Sequence, residues 1–196
     1  MNFFYKVNEN IRMNDGMSMN KLSKSFSGLG ISMMLLAVMM INPQTSVSGP
    51  LINAKALDGT EISSRTLAGK AYIVNFFASW CPPCRQEIPD MVELQEKYGK
   101  DGFTFIGIGF RDEEQSINDF IWEYGINYPV MIGDQAMIST FGDYIPGGLR
   151  AIPVSFVIGR DGSLITVAKG FQSREALEQL ILRALETDEQ RAGAVR

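Results

Sequence analysis

Hydrophobic and polar positions change period several times along the chain, and each change marks an element. Residues 51–57 (LINAKAL) alternate, Asp58-Gly59 marks a hairpin turn, and Thr60 to Ser63 resumes the alternation. Residues 71–78 (AYIVNFFA) form an unbroken apolar run, the pattern of a central strand covered on both sides. From Pro82 to Tyr98 the apolar positions Ile88, Met91, Val92 and Tyr98 follow helical spacing, and Gly99 marks the stop. Residues 103–110 (FTFIGIGF) predict a second buried strand. Asp112 followed by Gln115 predicts a capping box opening a helix with Ile117, Phe120, Ile121 and Tyr124 on one face. A short strand at 128–132, a short helix at 135–141 and a Gly/Pro loop at 142–150 come next. The end of the chain reads as a strand at 154–158, a turn at Asp161-Gly162 and a strand at 164–168. A helix capped by Ser173 follows, with Ala176, Leu177, Leu180, Ile181, Ala184 and Leu185 inward. The order, a hairpin, then β-α-β-α-β-α, then β-β-α, predicts an α/β domain. Its sheet is largely parallel, carries helices on both faces and gains antiparallel strands at one side.

Residues 1–48 follow another pattern. They hold eight of the eleven methionines, and no charge occurs from Ser25 to Ala54. Inside that stretch, Leu29 to Ile41 is apolar, Lys21 and Lys24 precede it, and Ser46-Val47-Ser48 offers small residues after it. These are the parts of a signal peptide. The apolar segment 29–41 is shorter than the roughly 20 residues of a comfortable span. The leader is therefore read as a signal peptide, with a retained membrane anchor as the alternative. Residues 49–196 form the domain, and the tail beyond Glu186 is polar.

Composition narrows the chemistry. Residues 49–196 carry a net charge of −6, with no basic excess for nucleic acid. The chain has no histidine, which excludes Ser-His-Asp and Cys-His catalysis and histidine-bound metals within this chain. Its two cysteines, Cys81 and Cys84, stand where the apolar strand gives way to a helix. Unpaired N–H groups and the positive end of the helix dipole favour a thiolate there. The Cys-x-x-Cys spacing lets the second thiol attack a mixed disulfide formed at the first. Cys81, nearer the helix start, is expected to attack, and Cys84, more buried, to resolve. Pro82 and Pro83 suit the first helical turn and stiffen it. A structural disulfide closing so short a loop gains little chain entropy.

Residues 75–84 (NFFASWCPPC) closely resemble the active-site segment of thioredoxin-fold proteins, in particular the TlpA/ResA branch of exported thiol–disulfide oxidoreductases in the AhpC/TSA-redoxin superfamily. The resemblance runs over residues 50–186. It implies a thioredoxin fold with a central mixed sheet flanked by helices, an N-terminal β-hairpin and a central insertion. Pro89 matches the family proline inside the active-site helix, and Ile152-Pro153 matches its cis-proline dipeptide facing the disulfide. Ile152 and Pro153 are thus expected to border the substrate groove, shaped also by loop 142–150. Asn75 stands where small thioredoxins carry a buried aspartate, and Asn cannot act as a base. Glu87, one turn beyond Cys84, is similar to the active-site acid of ResA-like proteins. Trp80 is expected either to cover the site or to join the core.

The resemblance also implies direction and partners. Pro82-Pro83 lacks the histidine of strongly oxidising DsbA-like sites, so the pair is expected to act as a reductant. The implied substrates are disulfides of exported proteins such as apocytochrome c, in the periplasm or another extracytoplasmic space. The implied electron donor is a membrane DsbD/CcdA-like transporter. No metal and no cofactor beyond the Cys81–Cys84 disulfide is expected. A redoxin-type thiol peroxidase and a non-catalytic partner-holding domain are the alternatives. Ala78 occupies the position where such peroxidases carry a threonine or a similar residue.

Overall fold

The computed structural model describes residues 47–186. The leader reading of segment 29–41 and the reading of the tail beyond Glu186 lie outside the described residues. No helix among the described residues is long and apolar enough to cross a membrane. The elements follow the expected order. They are β1 (Asn53–Lys55), β2 (Glu61–Ser63), β3 (Ala71–Phe77), α1 (Pro82–Tyr98), β4 (Phe103–Gly109), α2 (Glu114–Tyr124), β5 (Val130–Ile132), α3 (Gln135–Gly142), β6 (Val154–Ile158), β7 (Leu164–Lys169) and α4 (Arg174–Leu185).

Five strands form one mixed sheet in the order β5-β4-β3-β6-β7. β4 runs parallel to β3 and β5 parallel to β4; β6 runs antiparallel to β3, and β7 antiparallel to β6. The hairpin β1–β2 is a separate antiparallel sheet, turned by Gly59 at φ 88° with the Asp58 carboxylate accepting from the Thr60 amide. At the start of the described residues, the Leu164 amide donates to Val47 O and the Gly49 amide to Gly162 O. Val47 is therefore already tied to the β6–β7 turn.

Period-two alternation along β3 divides the interior. Ala71, Ile73 and Phe77 point to a core shared with Ile88, Met91 and Leu94 of α1, Ile117 and Phe120 of α2, and Leu177 and Ile181 of α4. Tyr72, Val74 and Phe76 point to a second core closed by the hairpin (Ile52, Ile62) and by Ile138 and Phe141 of α3. Helices do cover both faces, as expected, but the second face is closed largely by the hairpin and by Ile145 and Leu149 of the loop after α3. β4 passes closely between its neighbours at Gly107: a Cβ there would lie 3.0 Å from Phe77 Cε1 and 3.1 Å from Val130 Cγ2, so both side chains would have to give way.

Two expectations need correction. Asp112 does not cap α2: the N-cap position falls at Glu113 without a side-chain bond, and Gln115 instead donates to Asp119. The strand placed at 128–132 begins only at Val130, because Tyr128 turns into the core and Pro129 has no N–H to give to a ladder.

Candidate active site

β3 delivers the chain to a turn, Ala78 to Cys81, closed by the Cys81 amide donating to Ala78 O. Cys81 is the N-cap residue of α1, and Pro82 and Pro83 fill the first helical positions, where a missing N–H costs nothing. Cys81 and Cys84 form a disulfide, with Cα atoms 5.3 Å apart. Both are nearly sealed in this oxidised form, at 3% and 1% exposure, so burial separates the two thiols less than the sequence led one to expect. What distinguishes them is position on the helix: Cys81 caps it and Cys84 lies inside its first turn. Trp80 beside them is 59% exposed and is no core residue.

The loop is held from both sides by residues to which the sequence reading assigned no such part. The Asp112 carboxylate accepts the Ser79 amide at 2.6 Å, and the Arg85 guanidinium donates to Ser79 O at 3.1 Å. Arg85 is itself fixed by Glu123 at 2.9 Å and lies over the rings of Phe120 and Tyr124. Both side chains thus tie the residue two before Cys81 to α2 and to the end of β4. No local pattern signals this pairing, because Asp112 is 33 residues from Ser79. Pro89 lies inside α1, as expected.

The sheet face whose core includes both cysteines also holds a buried polar group of side chains. Asn75 and Ser155 are opposite each other in the β3–β6 register, and Asn75 Nδ2 donates to Ser155 Oγ at 3.0 Å. Glu87, 1% exposed, receives the Gln172 amide on Oε1, while Oε2 has no hydrogen-bond partner among the described residues. Burial pushes the Glu87 carboxyl up to about 7. The Gln172 amide and the Asn75 side chain pull it down without offsetting the burial. Tyr128, also buried and with a hydroxyl that has no hydrogen-bond partner among the described residues, is pushed up by burial and by the nearby Glu87 charge. Glu87 is therefore a buried carboxyl, although it stands on a helix. It lies one helical turn beyond Cys84.

The fourth feature is the Ile152–Pro153 peptide bond, which is cis. Val154 pairs with Phe76, so continuing the antiparallel register brings Pro153 and Ile152 level with Phe77 and Ala78, at the edge of the active-site turn. Ile152 packs against the core that contains both cysteines.

A Cys-x-x-Cys disulfide at a helix N-terminus, with a cis-proline beside it on this sheet, defines a thioredoxin-fold thiol–disulfide oxidoreductase. The redoxin family model matches residues 19–181, and the chain belongs to that family. Thiol-disulfide oxidoreductase ResA of Bacillus thuringiensis (strain Al Hakam) is 34% identical over 123 residues, 62% of this chain and 68% of that protein. A thiol:disulfide interchange protein of the thioredoxin family from Chlorobium tepidum TLS is 41% identical, with a TM-score of 0.71 over 74% of this chain and all of that one. StoA from Bacillus subtilis, 22% identical with a TM-score of 0.56 over 68% of this chain and 98% of that one, shares the fold.

Proposed function

We propose that the protein is a reductant of disulfides in exported proteins, working through a Cys81–Cys84 dithiol cycle. The Cys81 thiolate attacks one sulfur of a substrate disulfide, forming a mixed disulfide and releasing the other substrate sulfur as a thiolate. Cys84, deprotonated, then attacks Cys81 Sγ; the second substrate thiol leaves, and Cys81–Cys84 is oxidised as the substrate gains two electrons and two protons. Glu87 takes the Cys84 proton in this second step. The observation that carries this reading is the combination of the disulfide with a buried Glu87, whose carboxyl lies near 7 and can both accept and return a proton at neutral pH.

The Pro82-Pro83 dipeptide supports the reducing direction, since nothing in it stabilises the Cys81 thiolate beyond the helix start. The leader over residues 1–48 supports an extracytoplasmic location, with the domain released by cleavage or held by segment 29–41. Substrates in that compartment include apocytochrome c, and a DsbD/CcdA-like membrane thiol transporter would return electrons to the pair. The cycle needs no cofactor beyond the two thiols.

Cys84→Ser tests the cycle. In the native host this variant is expected to accumulate a mixed disulfide on Cys81 with its substrate, and the adduct vanishes when Cys81 is also replaced. A partner that binds equally well with both cysteines replaced would mean a holding domain instead.

A further inference from the structure

Next to the cis-proline lies an open groove of about 330 Å³. Its lining is apolar at the base, with Leu149 and Pro153 buried and Ile152 half-buried. Its only charged lining residues are Arg150 and Lys169, both exposed and without a side-chain partner among the described residues. No carboxylate lines it, although residues 49–196 carry a net charge of −6. An adjoining hollow that shares Ile145, Gly148 and Leu149 holds one charge of each sign, Arg111 and Asp143. Of these two hollows, the one that includes the cis-proline has cations alone as its charged lining residues.

From this we infer that the groove receives an extended segment of the substrate bearing a carboxylate side chain close to the reacting cysteine, with Arg150 and Lys169 as the residues that select it. The apolar base takes the cysteine's uncharged neighbours, and the two cations discriminate by sign at the rim. Exposed cations act mainly on encounter rate and on which partner is accepted, and less on raw affinity. Their effect is screened by salt over a Debye length of about 8 Å at physiological ionic strength. In the dithiol protein, the attack of Cys81 on such a substrate is the same exchange as above, so the inference rests on that reading and adds only the choice of substrate.

The test uses three peptide disulfides of equal length that differ only in the residues flanking the cysteine: Asp, Asn or Lys. Each is reduced by the full-length dithiol protein and by the R150E/K169E variant at low and high salt. For the unaltered protein, kcat/KM is expected to be about five- to tenfold higher for the Asp peptide than for the Lys peptide, the size two exposed charge pairs supply. The ratio should shrink in 0.5 M salt (roughly a 4 Å Debye length) and invert in the variant. The ratio is internal to each protein, so a slower variant still reports it. Equal rates on the Asp and Lys peptides, or a preference untouched by the double charge reversal, would overturn the inference. Failure to reduce any of the three peptides would instead overturn the oxidoreductase cycle itself.

Discussion

The two faces of the central sheet are built from the same strands and serve opposite ends. On one, Phe76, Phe141 and Phe156 meet edge to face at centroid distances of 5.0, 5.8 and 4.9 Å. On the other, Asn75, Ser155, Glu87 and Tyr128 lie among apolar neighbours, and two of their polar atoms have no partner among the described residues. The alternation of β3 sends Phe76 one way and Asn75 the other, one residue apart. One face is packed by apolar side chains; the other sets a titratable carboxyl into its core, with a carboxylate oxygen and a hydroxyl unpartnered among the described residues, which costs stability. Stability and chemistry are thereby separated by a single-residue step in register.

The separation can be broken most severely on the apolar face. Phe156→Ala removes a fully buried ring touching two others and is expected to cost about 3–5 kcal/mol. Urea denaturation measures the loss, while the midpoint potential of the remaining folded protein should stay where it was.

Glu87→Gln acts on the polar face, and its sign depends on pH. The folded-state carboxyl holds its proton up to about 7, against an ordinary value of 4.5. Between those values the folded state binds more protons than the unfolded one, so stability falls as pH rises through that window and levels off above it. The total is about 3 kcal/mol. Glu87→Gln should flatten this dependence and make the protein more stable than the parent at pH 8. It should also remove the rise in mixed-disulfide resolution near pH 7, read by stopped-flow release of a labelled thiol.

Smaller effects lie in the loop. Asp112→Ala leaves the half-buried Ser79 amide without its acceptor and is expected to cost about 1–2 kcal/mol. Asp112→Asn keeps an acceptor and should recover most of it in the same melt. Trp80→Ala should change stability by no more than about 0.5 kcal/mol, because the indole is exposed. A larger loss by calorimetry would show that it packs on the domain after all.

Much of this fold was legible because its elements are strongly patterned. The continuous run at Ala71–Phe77, the helical spacing ending at Gly99 and the Ser173 cap all have local causes, and the structure repeats them. The disulfide pair was legible for the same reason: its spacing and its place between strand and helix are local. What escaped the sequence depends on contacts between distant segments. Whether Glu87 was buried could not follow from its place on α1; it depends on the amide of Gln172, 85 residues on, and on the sheet below. Asp112 looked like a helix cap because capping residues and loop acceptors have the same chemistry, and only the tertiary fold decides which amide it meets.

The midpoint potential of the Cys81–Cys84 couple, measured against glutathione in the full-length protein at pH 7, tests the central reading most directly. A reductant should lie well below the DsbA value of about −120 mV. A potential at or above about −130 mV would contradict it, and make the protein a donor of disulfides.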